Sequence, residues 1–215
     1  YMEQIVALRP NSEIAAWAVL AMVRDSYLPI EATVKEETES LISQYGQVIK
    51  DYPNTAARDE AFVYQQALLI QLGIQNPAKA QNPQVIAAIE AFIAKNPKTR
   101  YLSSLYTLER YAWTELKQYR KALEADIRSI ETKELDPSNP NQNFSFDFFR
   151  IALEAQYDVG DFKIARLYYQ KFLQDYSADQ KAFVVHLQLK YMDDIEAKIK
   201  ANPSATLPSA QGGRP

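Results

Sequence analysis

The chain has 215 residues, room for one large domain or two small ones, and its 47% hydrophobic and 24% charged residues are those of an ordinary globular protein. Its 24 basic and 27 acidic side chains leave a formal net charge of −3, shared so evenly between the halves that no electrostatic footprint for nucleic acid or an anionic membrane remains. The absence of cysteine excludes disulfides, thiolate metal sites and a thiol nucleophile, one histidine (His186) excludes any site needing two imidazoles, and five glycines argue against a phosphate-cradling loop.

In chain order, Tyr1 to Arg9 reads as the second half of a helix that stops before Pro10, so the chain opens inside a repeat and further residues are expected to precede Tyr1. Tyr1-Met2-Glu3 lacks the basic start of a signal peptide. The uncharged run Ile14 to Val23 is too short to span a bilayer. Prolines then mark a period. Pro10-Asn11-Ser12, Pro53-Asn54-Thr55, Pro97-Lys98-Thr99 and Pro137-Ser138-Asn139 stand 43, 44 and 40 residues apart, and a further 40 reaches Ser177 in the same context without the proline. Proline ends a helix because it lacks an N–H and restricts the residue before it. Asn, Ser or Thr then cap the next one.

Each marker follows a stripe at helical spacing: Leu41, Tyr45, Val48, Ile49, Tyr52 before Pro53; Val85, Ile89, Phe92, Ile93 before Pro97; Ala165, Tyr168, Tyr169, Phe172, Leu173, Tyr176 before Ser177. A second stripe follows each marker: Trp17 to Val23, Phe62 to Leu72, Leu105 to Leu116, Phe148 to Leu153. Each unit of about 40 residues is therefore a helix pair, which buries its apolar face only by stacking on its neighbours. The expected fold is all-α, a right-handed solenoid of antiparallel helix hairpins with about ten helices. The array runs over residues 1–201, with repeat ends near 10, 53, 97, 137 and 177. A capping helix covers 178–201 and carries Phe183, Leu187, Lys190, Tyr191, Ile195 and Ile199. Residues 202–215, with Pro, Gly, Ser and Ala in no period, are expected to be a disordered tail.

These residues resemble the tetratricopeptide-repeat (TPR) family over nearly residues 1–180. Phe149 stands at the family's first-helix aromatic, Gly160-Asp161-Phe162 at its Gly-Asp-Tyr turn, and Ala165, Tyr169 and Ser177 at its small, aromatic and proline positions, with Phe172 in place of a small residue. Tyr106, Tyr119 and Ala122 keep a second unit, Phe62, Gly73, Ala88 and Phe92 a third, and Trp17 after Pro10 the first. The period of 40–44 exceeds the family's 34, and the extra residues fall at Ile74–Asn82, Asp136–Asn143 and around Leu28–Lys35. Val48 to Thr55 and Phe92 to Thr99 are similar to phrases in bacterial envelope members, the BamD-type outer-membrane assembly lipoproteins and the CpoB-type periplasmic proteins. That likeness, with 14 tyrosines and many Gln and Asn, points to the periplasm or cell envelope. The cytoplasm is the alternative, because a chain without cysteine suits either redox compartment.

No catalytic, cofactor or metal site is expected. His186 has no His or Cys partner at ligand spacing. Glu36-Glu37, Asp59-Glu60 and Asp193-Asp194 are neighbours on helices, which point about 100° apart rather than at each other. Lys117, Arg120, Lys121 and Arg128 are interleaved with Glu115, Glu124, Asp126 and Glu131 and read as a solvated face. Of the dense run Phe144, Phe146, Phe148, Phe149, the last and one neighbour are expected in the core, and Phe144 or Phe146 is a candidate partner anchor.

The resemblance implies a concave groove that takes a peptide or helix. It places Thr107, Tyr111, Thr114, Arg150, Glu154 and Tyr157 in that groove, and Val63, Ala67 and Ile70 at the matching apolar positions one repeat earlier. This mixed set departs from the family's Lys/Asn-rich clamp for a terminal carboxylate. The expected function is a non-catalytic protein–protein interaction scaffold, a subunit of a larger complex. A self-assembling repeat protein, or an enzyme or ligand carrier with an unrecognised site, stand as alternatives. Membrane association would come only through a partner or a missing N-terminal anchor.

Overall fold

The computed structural model describes residues 1–25, 34–135, 138–139 and 142–201. Among these the chain is all-α, with ten α-helices, one 3-10 turn, one π turn and no strand. It divides into two compact units, Tyr1–Leu116 and Lys117–Pro215. Residues 28–33 of the expected first insertion lie outside the described residues. So do Asp136, Pro137, Pro140 and Asn141 of the second, the repeat end at Pro137 with them, and the tail from Asn202.

Unit 1 contains α1 (Met2–Leu8), α2 (Glu13–Arg24), α3 (Val34–Asp51), α4 (Ala56–Gln75), the 3-10 turn Pro77–Lys79, α5 (Asn82–Lys95) and α6 (Leu102–Glu115). The proline markers do what their chemistry dictates at the first two junctions. Ser12 Oγ accepts from Ala15 N at 3.2 Å and donates back to Arg9 O at 2.7 Å. Thr55 Oγ1 repeats this with Arg58 N at 3.1 Å and Tyr52 O at 2.9 Å. Each hydroxyl thus closes one helix and opens the next. At the third marker the Thr99 hydroxyl is engaged with the Asp59 carboxyl. It also accepts from Tyr101 N at 3.4 Å, and helix α6 starts at Leu102 with no side-chain cap.

The helices pair as α1 on α2, α3 on α4 and α5 on α6, and α4 also touches α2, α5 and α6. Close approach is possible because Ala15, Ala16, Ala57 and Ala61 are fully buried at the contacts. Tyr45, Val48 and Tyr52 complete that cluster, and Ile70, Val85, Ile86, Ile89, Phe92 and Leu105 form the next. The stripes before Pro53 and Pro97 are thus the inward faces of α3 and α5. The extra residues from Ile74 fold back over α4. A Cβ added at Gly73 would meet Ala80 Cα at 3.0 Å, so glycine lets the insertion lie this close without either chain giving way.

Unit 2 contains α7 (Tyr119–Glu131), α8 (Ser145–Leu153), a π turn (Glu154–Val159), α9 (Phe162–Tyr176) and α10 (Ala182–Ala201). Gly160 ends the π turn in the left-handed region at φ 74°, and Asp161 caps α9 by accepting from Ile164 N at 3.1 Å. Ile151, Ala152, Ala155, Ala165, Tyr169, Phe172 and Val185 make a fully buried core. Phe149 sits 6.3 Å from Tyr169 and 6.1 Å from Phe172, ring to ring.

One face differs from the stripe that the sequence picks out. Helix α10 turns Ala182, Val185 and Met192 inward, with Leu189 half-buried beside them. Phe183 (70% exposed), Leu187 and Tyr191 point outward. No described helix is long and apolar enough to cross a membrane.

Candidate interaction surfaces

The first surface lies on α2, α4 and α6. The Glu13 carboxylate accepts from Ala56 N at 3.1 Å, which sets the starts of α2 and α4 side by side. Eleven residues on from Glu13, Arg24 reaches Glu60 Oε1 at 3.3 Å, and its guanidinium lies 5.8 Å from the Tyr64 ring. Tyr64 is stacked in turn on buried Tyr45 at 5.5 Å. From the start of α6, Tyr101 donates its hydroxyl to Glu60 Oε2 at 2.6 Å, and Arg100 approaches the same oxygen at 3.6 Å. The Arg100 guanidinium also lies 4.8 Å from the Tyr101 ring and 5.8 Å from Trp17 on α2. One arginine therefore touches three helices.

The charges on this surface are unequally exposed. The side chains of Arg24 and Arg100 are 53% and 62% exposed, that of Glu60 15%. Burial and the hydrogen bond to Glu60 push the Tyr101 phenol up to about 12. Burial also raises the Asp59 carboxyl, against the opposing pull of Arg58 and the Thr99 hydrogen bond.

The groove residues expected in unit 1 lie further along α6. The hydroxyls of Thr107 and Thr114 bond to the carbonyls of Ser103 and Arg110, four residues back, at 2.9 and 2.8 Å. Tyr111 is exposed, with the Arg110 guanidinium 4.1 Å from its ring. On the other side of α4, Ile42, Leu69, Leu72 and Ala80 line a shallow cleft of ≈ 480 Å³. An ion pair between Lys79 and Glu39 closes its rim.

The remaining expected site residues are in unit 2, and most serve its interior. Arg150 is ion-paired to Asp126, which is fully buried, and lies 3.0 Å from Asp147 and 3.9 Å from Glu154. Lys133 holds Asp147 at 2.6 Å. Burial works against the Arg150 charge, but the hydrogen bond and charge of Asp126 outweigh it and raise its pKa. Tyr157 donates to Gln188 Oε1 at 2.8 Å, and Gln156 joins Gln188 and the Tyr169 hydroxyl at 2.9 Å each. Burial pushes the Tyr169 phenol up. Arg166 ties α9 to α10 through Asp193 at 2.7 Å and Glu196 at 2.8 Å.

Phe144 is half-buried, stacked on Phe148 at 5.6 Å, with its amide donating to the Tyr176 hydroxyl. Phe146 is 61% exposed, and the Arg150 guanidinium lies 5.9 Å from its ring. His186 is exposed. No group of His, Cys, Asp and Glu among the described residues could hold a metal ion.

Two features escaped the sequence reading. Asp126, taken as part of a solvated face, is buried. Its position four residues after Ala122 and four before Ile130, on the apolar stripe of α7, is the signal that reveals it. The Arg24–Glu60–Arg100 arrangement has a fainter signal in the period itself. Glu13 and Ala56 are 43 residues apart, Glu60 and Tyr101 are 41, and Arg120 and Asp161, 3.2 Å apart in unit 2, are also 41. Residues one repeat apart lie next to each other within each unit.

Comparison with protein-family models, with curated proteins and with solved structures finds no match to this chain.

Proposed function

We propose that the chain is a non-catalytic interaction scaffold of TPR-like helix hairpins, wound within each unit in that family's right-handed sense, and that it serves as a subunit of a larger protein complex. The observation that carries this reading is the set of exposed aromatic and arginine side chains, Arg24, Tyr64, Arg100 and Tyr111, on α2, α4 and α6 or just ahead of α6. Trp, Tyr and Arg are the residues most enriched at energetic centres of protein interfaces. Its arginines are held by residues one repeat apart, as a stacked array requires. The periplasm or cell envelope is the proposed compartment on the strength of the phrase likeness, with the cytoplasm as the alternative.

The test is affinity purification of the natively expressed chain against a Tyr111→Ala, Phe146→Ala double variant, because both residues are exposed and neither anchors a core. A stoichiometric partner reduced in the variant supports the scaffold reading. Recovery of the chain with no partner refutes it.

Self-assembly is a second reading, favoured by α10. Phe183, Leu187 and Tyr191 point outward along one face of it and offer apolar surface to a second copy. Mass by light scattering that rises with concentration, and falls to the monomer in Phe183→Ser with Leu187→Ser, would select it.

A further inference from the structure

Helix α10 is apolar on two sides, and the core of unit 2 takes only one of them. Ala182, Val185 and Met192 face that core. Polar contacts hold the helix in place: Gln188 accepts from Gln156, and Arg166 pairs with Asp193 and Glu196. On the other side Phe183, Leu187 and Tyr191 are exposed. Their spacing of four puts them in one row along the helix. A lone exposed apolar residue is ordinary, whereas a contiguous row marks a contact surface.

The row reads alike in both directions. A ring, a branched aliphatic side chain and a ring stand at equal spacing, symmetric about Leu187. A second α10, turned end for end about a two-fold axis at Leu187, sets Phe183 of each copy on Tyr191 of the other. Leu187 then meets Leu187, and Val184 meets the stem of Lys190. The charges agree with this orientation. It brings Lys181 opposite Asp193, and Asp194 opposite Gln180. A parallel pair in register would instead set Lys190, Asp193 and Asp194 each against its like, which repels. Lys181 already meets Asp179 at 3.4 Å and Asp193 meets Arg166 at 2.7 Å. The contact between copies therefore joins existing pairs, and fixes orientation more than strength.

We propose that two copies of this chain pair through the outward faces of α10, antiparallel, about a two-fold axis at Leu187. This rests on the self-assembly reading and adds its geometry. A two-fold contact uses the same patch on both copies and closes at the dimer. An aromatic side chain buries about 150–250 Å² when fully covered, so three partly exposed side chains hide on the order of 300 Å² per copy. Even doubled and with flanking contacts this stays below the ~1,200 Å² of a standard interface, so a dimer that dissociates on dilution is expected.

The test is cysteine crosslinking of the full chain beside light scattering. The chain contains no cysteine, so single substitutions supply the only thiols. Helices packed about 8–10 Å apart, with Cα atoms about 2.3 Å from each axis, bring the two Leu187 Cα atoms into the ~4.4–6.8 Å range that a disulfide spans. The two Phe183 residues stand four positions either side of the two-fold, about 12 Å apart along the helix, and cannot be bridged. With diamide as oxidant, Leu187→Cys is expected to form a reducible dimer in about tenfold excess over Phe183→Cys or Tyr191→Cys alone. Mixing Phe183→Cys with Tyr191→Cys should restore the crosslink, as should mixing Val184→Cys with Lys190→Cys. Scattering mass of the wild type should rise from 24.6 kDa toward twice that value as concentration rises.

Monomer mass at every concentration overturns the proposal together with the self-assembly reading. Rising mass without a Leu187→Cys crosslink, or with Phe183→Cys alone crosslinking as readily, overturns this geometry and leaves self-assembly standing. A monomeric chain whose native partner is lost in Phe183→Ser with Leu187→Ser assigns the row to another protein, and overturns it as well. All the substituted side chains are exposed. Should Leu187→Cys still fail to fold, which circular dichroism would reveal, the two mixed pairs decide: crosslinking in both supports the two-fold at Leu187, and crosslinking in neither overturns it.

Discussion

Replacing Arg150 by alanine tests whether the interior of unit 2 depends on one guanidinium. Asp126 is fully buried and Arg150 is 19% exposed, so solvent screens this pair little. In Arg150→Ala, Asp147 keeps Lys133 at 2.6 Å, but Asp126 and Glu154 lose their guanidinium. Removing one partner of a buried ion pair costs about 3–5 kcal/mol, mostly because the other charge stays buried. A deficit of about 3 kcal/mol or more is expected at pH 7 from urea unfolding followed by helical circular dichroism, with an unchanged denaturant slope. Two controls sharpen the argument. Arg150→Met with Asp126→Leu removes both charges and should cost less than Arg150→Ala alone, since apolar replacement of a whole buried pair is often neutral. In Arg150→Ala burial acts on the Asp126 carboxyl without the guanidinium and is expected to raise it. A carboxyl raised in the folded state favours folding at low pH and loses that contribution as pH rises, so the deficit should shrink on acidification. A deficit below about 1 kcal/mol, or one as large in the double variant as in the single, would refute the reasoning.

Four further expectations concern backbone and titration. Ser12→Ala and Thr55→Ala should each cost about 1 kcal/mol, because each removes a helix cap and the bond to the preceding turn; Thr99→Ala should leave the start of α6 in place, a contrast that amide exchange of the first-turn N–H groups would read. Gly160→Ala should cost about 1 kcal/mol through its left-handed backbone alone, since a Cβ there meets nothing within 4 Å. Gly73→Ala should also destabilise the chain in chemical unfolding, despite alanine's better helix propensity, because its Cβ would meet the Ala80 backbone. Ultraviolet titration of wild type against Tyr101→Phe should show a phenol ionising near 12. Its folded value lies above the unfolded one, so its contribution is complete below pH 10 and is lost as pH rises through about 12.

Much of unit 1 is legible because two local rules agree there. The stripe ending at Tyr52 and the marker Pro53-Asn54-Thr55 demand the same helix end, and the Thr55 hydroxyl provides both bonds that such a junction needs. The third junction carries the same text but no cap: the Thr99 hydroxyl accepts from Tyr101 N at 3.4 Å, only two residues on, and α6 starts beyond it at Leu102. The candidate site was less legible. A register carried over from a family ranks positions by helix face and is blind to what a long side chain does after leaving that face. Arg150 and Tyr157 turn inward to Asp126 and Gln188, while Arg100, just ahead of α6, reaches across three helices.

Helix α10 shows the same limit in its simplest form. Its sequence holds two apolar rows, Val185–Leu189–Met192 and Phe183–Leu187–Tyr191, both at helical spacing. Periodicity alone cannot choose between them, and size favours the second, with its two aromatic rings. What decides is the partner surface. The side chains of α9 that meet α10 belong to a core already filled by Tyr169 and Phe172, and a close-packed interior accepts small or unbranched side chains where little space remains. Val185 and Met192 fit that space, and the bulkier row is left outside. The outward row is therefore a consequence of how full the core of unit 2 is. The dimerisation measurement tests whether it has acquired a use: if Phe183→Ser with Leu187→Ser changes neither mass nor partner recovery, the row is the residue of that packing choice and nothing more.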